Sequence, residues 1–220
     1  QEEALVMEKS SVVSVRKTLF LACKRTFDIF CSLIGLIMLL PVFFIVSIII
    51  KIDSRGPVFL VQKRIGKNGK EFNFYKFRSM VPNADEVLKE LLKDPKYKKE
   101  WNKNQKLEHD PRITKIGKII RKTSLDEVPQ FINVFRGDMS LIGPRPLVEG
   151  ELDAHNGNHE IYEKVKPGIT GWWACNGRSA TTYEQRLKLE YYYAENASLS
   201  LDIKCIFRTI KAVLFKTGAK

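Results

Sequence analysis

The sequence predicts a mostly helical α+β protein: a re-entrant membrane segment (helix-break-helix) near the N-terminus, a small β-hairpin, and amphipathic interfacial helices. Residues 29–50 form a long apolar run without a charge. An Asn-Gly pair lies between two runs rich in β-branched and aromatic residues at 58–78, which is typical of a hairpin. Several later segments carry apolar residues at helical spacing. The 220 residues suffice for one moderate domain with its own core.

The composition indicates an anionic partner. Lys and Arg total 37 against 25 Asp and Glu, so the formal net charge is +12. Such a balance is typical of proteins that bind nucleic acid, a phospholipid surface or a phosphorylated substrate. No nucleic-acid partner is expected, because the sequence has no motif of that class and does have the apolar run. The cysteines Cys23, Cys31, Cys175 and Cys205 lack metal-ligand spacing and are expected to be reduced thiols.

The apolar run is long enough to cross a membrane, since its roughly 22 residues would extend about 33 Å as a helix. Pro41 interrupts it near the middle and is expected to bend it. Basic residues flank both ends: Arg16, Lys17, Lys24 and Arg25 before it, and Lys51, Arg55, Lys63 and Arg64 after it. Because positive flanks stay in the cytoplasm, we predict that the segment enters, turns at Pro41 and returns. A spanning helix that tolerates the proline is the alternative. Asp28 is expected to pair with Lys24 or Arg25.

The remaining elements are assigned from local pattern. The hairpin at 58–78 is expected to turn at Asn68-Gly69. Helices are predicted at 84–101 with an interruption at Pro95, at 113–122, from 126 or 129 to 135, and at 182–196. The basic amphipathic segment at 203–214 fits either a membrane interface or an ordinary core-packing helix.

Asp126 and Glu127, in "SLDEVPQ", are the candidate catalytic residues. One interpretation is structural: Ser124 and Glu127 have the spacing of a capping box, and Pro129 suits a helix start. That interpretation leaves Asp126 unused. An ionised carboxylate at a helix start can instead bind Mg²⁺ or attack phosphorus.

Basic residues around this pair predict a phosphate site. Arg145 lies between two prolines, so its backbone is stiff and its planar guanidinium matches phosphate oxygens. Arg78 leaves the hairpin near another turn. Further positive charge comes from Arg112, Lys115, Lys118, Arg121, Lys122 and Arg136.

Five motifs, in the same order, resemble those of the bacterial sugar transferase family, the monotopic phosphoglycosyl transferases that act on polyprenyl phosphate. The resemblance extends from about residue 24 to 218. It is greatest to undecaprenyl-phosphate galactose and hexose phosphotransferases, and the chain corresponds to their catalytic part. The motifs are "KRTFDIF", "GPVFLVQKRIGKNGKEFNFYKFRSM", "DPRITKIGKIIRKTSLDEVPQFINVFRGDMSLIGPRP", "KPGITGWWACNGR" and "SLDIK".

The resemblance implies a covalent mechanism. Asp126 attacks the sugar-linked phosphate of a UDP-sugar, with UDP-galactose or UDP-glucose favoured, and UMP leaves. Polyprenyl phosphate then takes the phosphosugar. Glu127 assists, and Asp126 and Glu127 together hold Mg²⁺. The expected phosphate-binding residues are Arg145, Arg78, Arg121 and Arg112.

The resemblance also implies a nucleotide-sugar pocket with Thr170, Asn176 and Arg178. The expected organisation is an N-terminal extension (1–20), a re-entrant hairpin (21–51) and a catalytic domain (52–220) on the cytoplasmic face of the bacterial inner membrane. Membrane phospholipid is a further expected partner, and a homodimer is left open. Glu190 departs from the family pattern, because many members carry Asp at this place in a "KLD" stretch.

Two alternative functions belong to other classes. A membrane-surface adaptor that binds anionic lipid would use the basic helices and would not need Asp126. A glycosidase is disfavoured, because neighbouring residues of a helix point about 100° apart and do not flank one glycosidic bond.

Overall fold

The computed structural model describes residues 2–104, 107–177 and 180–214, and describes side chains within 15–102, 107–177 and 180–212. The chain is mostly helical, as predicted, with short strands. The helices are α1 (Glu2–Asp53), α2 (Ala84–Leu91), α3 (Pro95–Asn104), α4 (Lys115–Lys122), α5 (Gln130–Arg136), α6 (His159–Tyr162), α7 (Trp172–Asn176), α8 (Tyr183–Asn196) and α9 (Leu199–Leu214). The strands are β1 (Phe59–Ile65), β2 (Glu71–Phe77), β3 (Ser140–Ile142) and β4 (Gly168–Thr170).

The chain divides into two compact units. The first contains the segments up to Ile37, Gln62–Phe74 and from Gln130 onward, and the second contains Met38–Val61 and Tyr75–Pro129. The boundaries fall within α1, within both strands of the hairpin, and just before α5. Among the described residues, three buried apolar clusters lie in the first unit and one lies in the second.

Helix α1 is the long apolar element that the sequence predicts. It is one continuous helix with Pro41 inside it, so the predicted break in the helix is not seen at this residue. From residue 15 to residue 53 it is long and apolar enough to cross a membrane, and most of this stretch is exposed. Large apolar side chains such as Phe30, Met38 and Phe44 lie on that exposed surface. A helix of this kind indicates a membrane protein.

The first unit is built around a short parallel pair, in which Ser140 of β3 lies beside Gly168 of β4. Its buried residues form three clusters, which include Phe72, Phe74, Met139, Ile142, Leu147, Leu152, Tyr162, Leu187, Tyr193 and Cys205. The polar groups of α1 are used to hold this unit together. Lys24 pairs with Asp202 of α9 at 2.6 Å.

The expected pairing of Asp28 with Lys24 or Arg25 is wrong. Asp28 is buried, and its Oδ1 accepts hydrogen bonds from the Ser140 hydroxyl at 3.0 Å and from the Leu141 amide at 2.9 Å. Arg25 donates instead to the last carbonyls of α5. A buried carboxylate takes whichever donors the fold brings to it, and here these are a strand amide and a hydroxyl distant in sequence.

The second unit packs the C-terminal part of α1 against α4 and the end of β2. Val46, Ile50, Phe77 and Ile120 are its buried apolar residues. Helix α4 approaches the chain at Ser79 very closely, because a Cβ placed on Gly117 would clash with the Ser79 carbonyl oxygen. Only glycine permits this approach.

Most of the locally predicted elements are confirmed. The hairpin forms from β1 and β2, and Asn68 and Gly69 both have positive φ in its connection. The expected helix at 84–101 is present as α2 and α3, the one at 113–122 as α4, and the one at 182–196 as α8, where Thr182 and Gln185 form a capping box. One side of helix α9 packs in the core, where Cys205 is buried, whereas Phe207 and Ile210 are exposed. Its predicted place at a membrane interface stays a prediction.

Candidate active site

Asp126 and Glu127 lie in a short 3-10 turn (Leu125–Glu127) and not at the start of an α-helix. The predicted capping box is wrong, because the Ser124 side chain makes no capping hydrogen bond. Ser124 has φ +56°, and backbone bonds close the turn, from the Glu127 amide to the Ser124 carbonyl and from the Val128 amide to the Leu125 carbonyl, both 3.2 Å. Helix α5 begins only at Gln130. The turn that carries both carboxylates is therefore closed by backbone hydrogen bonds and not by a side-chain cap.

Lys76 of β2 holds the two carboxylates together. Its Nζ lies 2.9 Å from Glu127 Oε1 and 3.5 Å from Asp126 Oδ2. Sequence reasoning missed this residue. The only local signal was a lysine between aromatic residues in "YKF", and such a lysine is most often a solvent-facing strand residue. Its partner is 51 residues away in sequence, so only the fold places them together.

The two carboxylates have different environments. The Asp126 side chain is only 13% exposed, whereas that of Glu127 is 44% exposed. Burial raises the pKa of the Asp126 carboxyl, Lys76 and Arg121 lower it, and Glu127 adds to the rise, so that the pKa remains above its ordinary value. Asp126 is thus a poorly solvated carboxylate that needs nearby cations to stay ionised.

Arg121 is the predicted phosphate-binding arginine whose charge acts on Asp126. Its Nε donates to the Ser79 hydroxyl at 2.8 Å, which fixes the side chain on one side. Burial lowers the pKa of the Arg121 guanidinium, and the Asp126 carboxylate raises it. Arg121 therefore adds positive charge to the environment of the carboxylate.

Arg78 and Arg112 are buried in internal contacts. Arg78 donates to the carbonyls of Ser54 at 2.7 Å and Arg55 at 3.0 Å, just after the end of α1. Arg112 forms a two-pronged bond with Asp110, at 2.8 and 2.6 Å, and lies over the Trp101 ring. Direct contact of either with a phosphate would require these bonds to be given up. Their predicted phosphate-binding role remains a prediction.

Arg145 belongs to the first unit. Its side chain is 46% exposed, and its Nη1 lies 3.8 Å from Glu151. Its backbone is held on both sides: the amide donates to Glu190 Oε1 at 3.1 Å, and the carbonyl accepts from the Tyr162 hydroxyl at 2.8 Å. The rigidity that the flanking prolines predict is thus supplemented by two buried side chains.

Two of the three predicted nucleotide-sugar residues, Thr170 and Asn176, also lie in the first unit. The Thr170 hydroxyl is bonded to that of Thr209 at 2.8 Å. Asn176 Nδ2 donates to the Trp172 carbonyl at 2.6 Å, and its oxygen accepts from Arg208. Thr170 therefore links β4 to α9, and Asn176 links α7 to α9. Arg178 lies outside the described residues.

The two carboxylates of the Asp126 turn fit a Mg²⁺ ion. Mg²⁺ is typically held by one or two carboxylates, with water and substrate phosphate completing its six positions. Among the described residues there is no cluster of three or more His, Cys, Asp and Glu that would form a complete protein cage. That Asp126 and Glu127 hold Mg²⁺ stays a prediction.

Comparison with known proteins identifies the family. The family model for bacterial sugar transferases matches residues 19–216. The undecaprenyl-phosphate galactose phosphotransferase of Salmonella typhimurium is 45% identical over 218 residues, which cover 99% of this chain and 45% of that protein. The galactosyl transferase CpsE of Streptococcus agalactiae is 45% identical over 202 residues (91% and 44%). The exopolysaccharide production protein ExoY of Rhizobium meliloti is 40% identical over 197 residues (89% and 87%).

The chain thus spans less than half of the length of the first two relatives and most of the length of the third. The family match includes the Asp126 turn, Lys76 and Arg145. The resemblance found in the motifs is confirmed, and the chain belongs to the bacterial sugar transferase family.

Proposed function

We propose that the chain is a phosphoglycosyl transferase that moves a sugar-1-phosphate from a UDP-sugar to polyprenyl phosphate and releases UMP. The observation that carries this proposal is the poorly solvated Asp126, held beside Glu127 by Lys76. A carboxylate in this state is suited to attack phosphorus. The Salmonella relative is named for undecaprenyl phosphate and galactose, which supports a lipid phosphate acceptor and a hexose donor.

The reaction has two displacements at one phosphorus atom. First, an Asp126 carboxylate oxygen attacks the phosphorus attached to the sugar, and the bond from that phosphorus to the UMP oxygen breaks. UMP leaves with the electron pair, and an acyl phosphate links Asp126 to the sugar. Second, a phosphate oxygen of the lipid attacks the same phosphorus, and the Asp126 carboxylate leaves. The products are UMP and polyprenyl diphosphate-sugar.

The neighbours of Asp126 supply charge for these steps. Lys76 and Arg121 keep the carboxylate ionised, and they oppose the negative charge that a diphosphate brings. When bound by Asp126 and Glu127, Mg²⁺ would neutralise the diphosphate and favour departure of UMP. Glu127 is the more exposed carboxylate, and it keeps Lys76 in place for its partner.

The test is UMP release by the purified protein in the presence of polyprenyl phosphate, Mg²⁺ and one UDP-sugar at a time. UDP-galactose and UDP-glucose are the favoured donors, because relatives are named for galactose transfer. Such a reaction would be the first membrane step in the assembly of a capsule, exopolysaccharide or O-antigen. A membrane-surface adaptor would bind anionic vesicles and release no UMP from any donor.

We expect Arg145→Lys to lower kcat/KM by at least about tenfold, about 1.4 kcal/mol of transition-state stabilisation. Lysine keeps the charge but loses the two-pronged geometry that matches phosphate oxygens. The matched control is Lys98→Ala on exposed α3, which should be close to wild type. A wild-type rate for Arg145→Lys would mean that the positive charge alone suffices, and would contradict a two-pronged grip on phosphate by Arg145.

The topology of the apolar stretch is proposed to be re-entrant and is tested separately. If both flanks of the apolar stretch are cytoplasmic, thiols introduced by Ser10→Cys and by Lys70→Cys should both be protected from an impermeant reagent added outside intact cells. Both substitutions are made in a variant without Cys23, Cys31, Cys175 and Cys205. A spanning helix would expose one thiol and protect the other. Pro41→Ala should shift some molecules toward the spanning form, because the freed backbone bond is restored.

A further inference from the structure

A group of buried polar side chains in the first unit surrounds Arg145. Glu190 of α8 is 1% exposed. Its Oε1 accepts the Arg145 amide at 3.1 Å, whereas its Oε2 is buried and has no hydrogen-bond partner among the described residues. A buried carboxylate with one bond is costly to keep in a fold. Such a group calls for an explanation.

Glu190 is one half of a clamp on the backbone of Arg145. The other half is Tyr162 of α6, which is buried and donates its hydroxyl to the Arg145 carbonyl at 2.8 Å. Pro144 and Pro146 fix the chain on either side. The amide and the carbonyl of Arg145 are therefore both held by buried side chains, while its guanidinium remains half-exposed.

The clamp is embedded in a network of charges and rings. Glu151, which faces Arg145, accepts from Arg186 Nη1 at 3.0 Å. Arg186 is itself buried between the rings of Trp173 and Tyr183, with its Cζ 5.0 Å from each ring centre. The residues behind Arg145 thus come from α7, α8 and the segment after β3, and they are immobilised by one another.

The charge of Glu190 is finely balanced. Burial raises its pKa to about 7, opposed by the bond from the Arg145 amide and by the positive charges of Arg186 and Arg145, with Cys175 adding to the rise. Tyr162 faces Glu190 from α6. Its hydroxyl is neutral, because burial raises its pKa well above the ordinary value. A glutamine would fit the same space and accept the same amide bond without the cost of a buried charge. The ionised form of Glu190 therefore requires a functional explanation.

We propose that Glu190 is a positioning residue whose ionised carboxylate fixes the backbone of Arg145 and so presents its guanidinium to a substrate phosphate. An anion attracts the amide proton more strongly than a neutral amide oxygen does. It also offsets the repulsion between Arg145 and Arg186. The inference rests on the proposed function, in which Arg145 grips a phosphate.

The test compares Glu190→Gln with wild type between pH 6 and pH 8. The ratio of the wild-type to the variant rate cancels every titration that the two proteins share, including those of the substrates. With a pKa of about 7, the ionised fraction of Glu190 rises from about one-tenth to about nine-tenths, so the ratio should rise by up to about tenfold. Glu190→Asp keeps the charge and should retain more activity than Glu190→Gln at pH 8. The control is Glu184→Gln, on an exposed ion pair of the same helix, whose ratio should be flat.

Stability gives the readout that separates positioning from simple support. Because the pKa in the folded state lies above its ordinary value of 4.5, wild type should lose stability as pH rises from about 4.5 to about 7. Glu190→Gln lacks this loss. Its melting temperature should therefore exceed that of wild type at pH 8 by more than at pH 5, while its activity is lower. A merely supporting Glu190 would give lower stability and lower activity together.

Coupling to Arg145 completes the test. In an Arg145→Ala background, Glu190→Gln should have no further effect on the rate, because the group that it positions is gone. A flat rate ratio with active wild type, or an undiminished effect in the Arg145→Ala background, would overturn the inference alone. Failure of wild type to release UMP from any UDP-sugar would overturn the proposed function, and this inference with it.

Discussion

Asp126→Asn should abolish UMP release while leaving the protein folded. Asparagine has the same shape but lacks the charge and the nucleophilic oxygen, so the first displacement has no attacking group. The structure suggests little cost to folding, because backbone bonds close the 3-10 turn and the Asp126 side chain does not cap it. We expect a loss of at least about a thousandfold in turnover, the scale seen when a covalent nucleophile is removed.

The first displacement can be observed by itself. With UDP-sugar and Mg²⁺ but no lipid acceptor, wild type should release up to one equivalent of UMP per enzyme, and Asp126→Asn none. Intact-mass spectrometry of quenched wild type should find an added hexose phosphate on the peptide that contains Asp126, labile to hydroxylamine. Asp85→Asn, on exposed α2, is the matched control and should behave as wild type. Wild-type turnover by a folded Asp126→Asn protein would refute covalent catalysis at this residue.

Lys76→Met should lower kcat/KM at pH 7 by about a hundredfold, since it removes the cation next to both carboxylates. The pKa of Asp126 is already raised by burial, and Lys76 is the strongest influence that lowers it. Without Lys76 the pKa rises further, so a smaller fraction of Asp126 is ionised at neutral pH. Because the ionised form is the active one, the acid limb of the pH–rate profile should move to higher pH.

The profile itself is the measurement that separates this effect from a loss of folding. Lys76→Arg keeps the charge and should leave the acid limb close to its wild-type position, even if the rate falls. Lys70→Met, on the exposed turn of the same hairpin, controls for loss of a lysine. An acid limb at the wild-type pH in Lys76→Met would show that Lys76 does not set the ionisation of Asp126.

The sequence predictions succeeded where an element is determined by interactions between residues close in sequence. The hairpin was predicted because Asn68 and Gly69 adopt positive φ as a local property of those residues. Helix α8 was predicted from its local residue pattern, and the capping box of Thr182 and Gln185 that begins it is also local, within four residues. Ser124 and Glu127 have the same sequence signature, but Ser124 adopts a left-handed conformation and its side chain makes no capping hydrogen bond. A cap motif specifies what a side chain can do, and the tertiary structure decides whether it does so.

The candidate site shows the same limit. Asp126 was identified from its neighbours in sequence, and the resemblance to the family supplied its expected role. Lys76 was not, because its contact with Glu127 joins a strand to a turn far along the chain. Arg78 was counted as phosphate-directed charge, although both of its terminal nitrogens donate to carbonyls just after α1. Sequence counts charges, whereas only the fold shows which of them are already paired.

Gly117 has no functional side chain, yet because of its close approach to Ser79 a substitution at this position should disturb the candidate active site. A methyl group there would meet the Ser79 carbonyl, and Ser79 is the residue whose hydroxyl holds Arg121. Any side chain at 117 must therefore push α4 and its arginine away from the segment that orients it. In a genetic screen for inactive alleles, position 117 would be recovered alongside Asp126, and a suppressor would have to restore space and not charge.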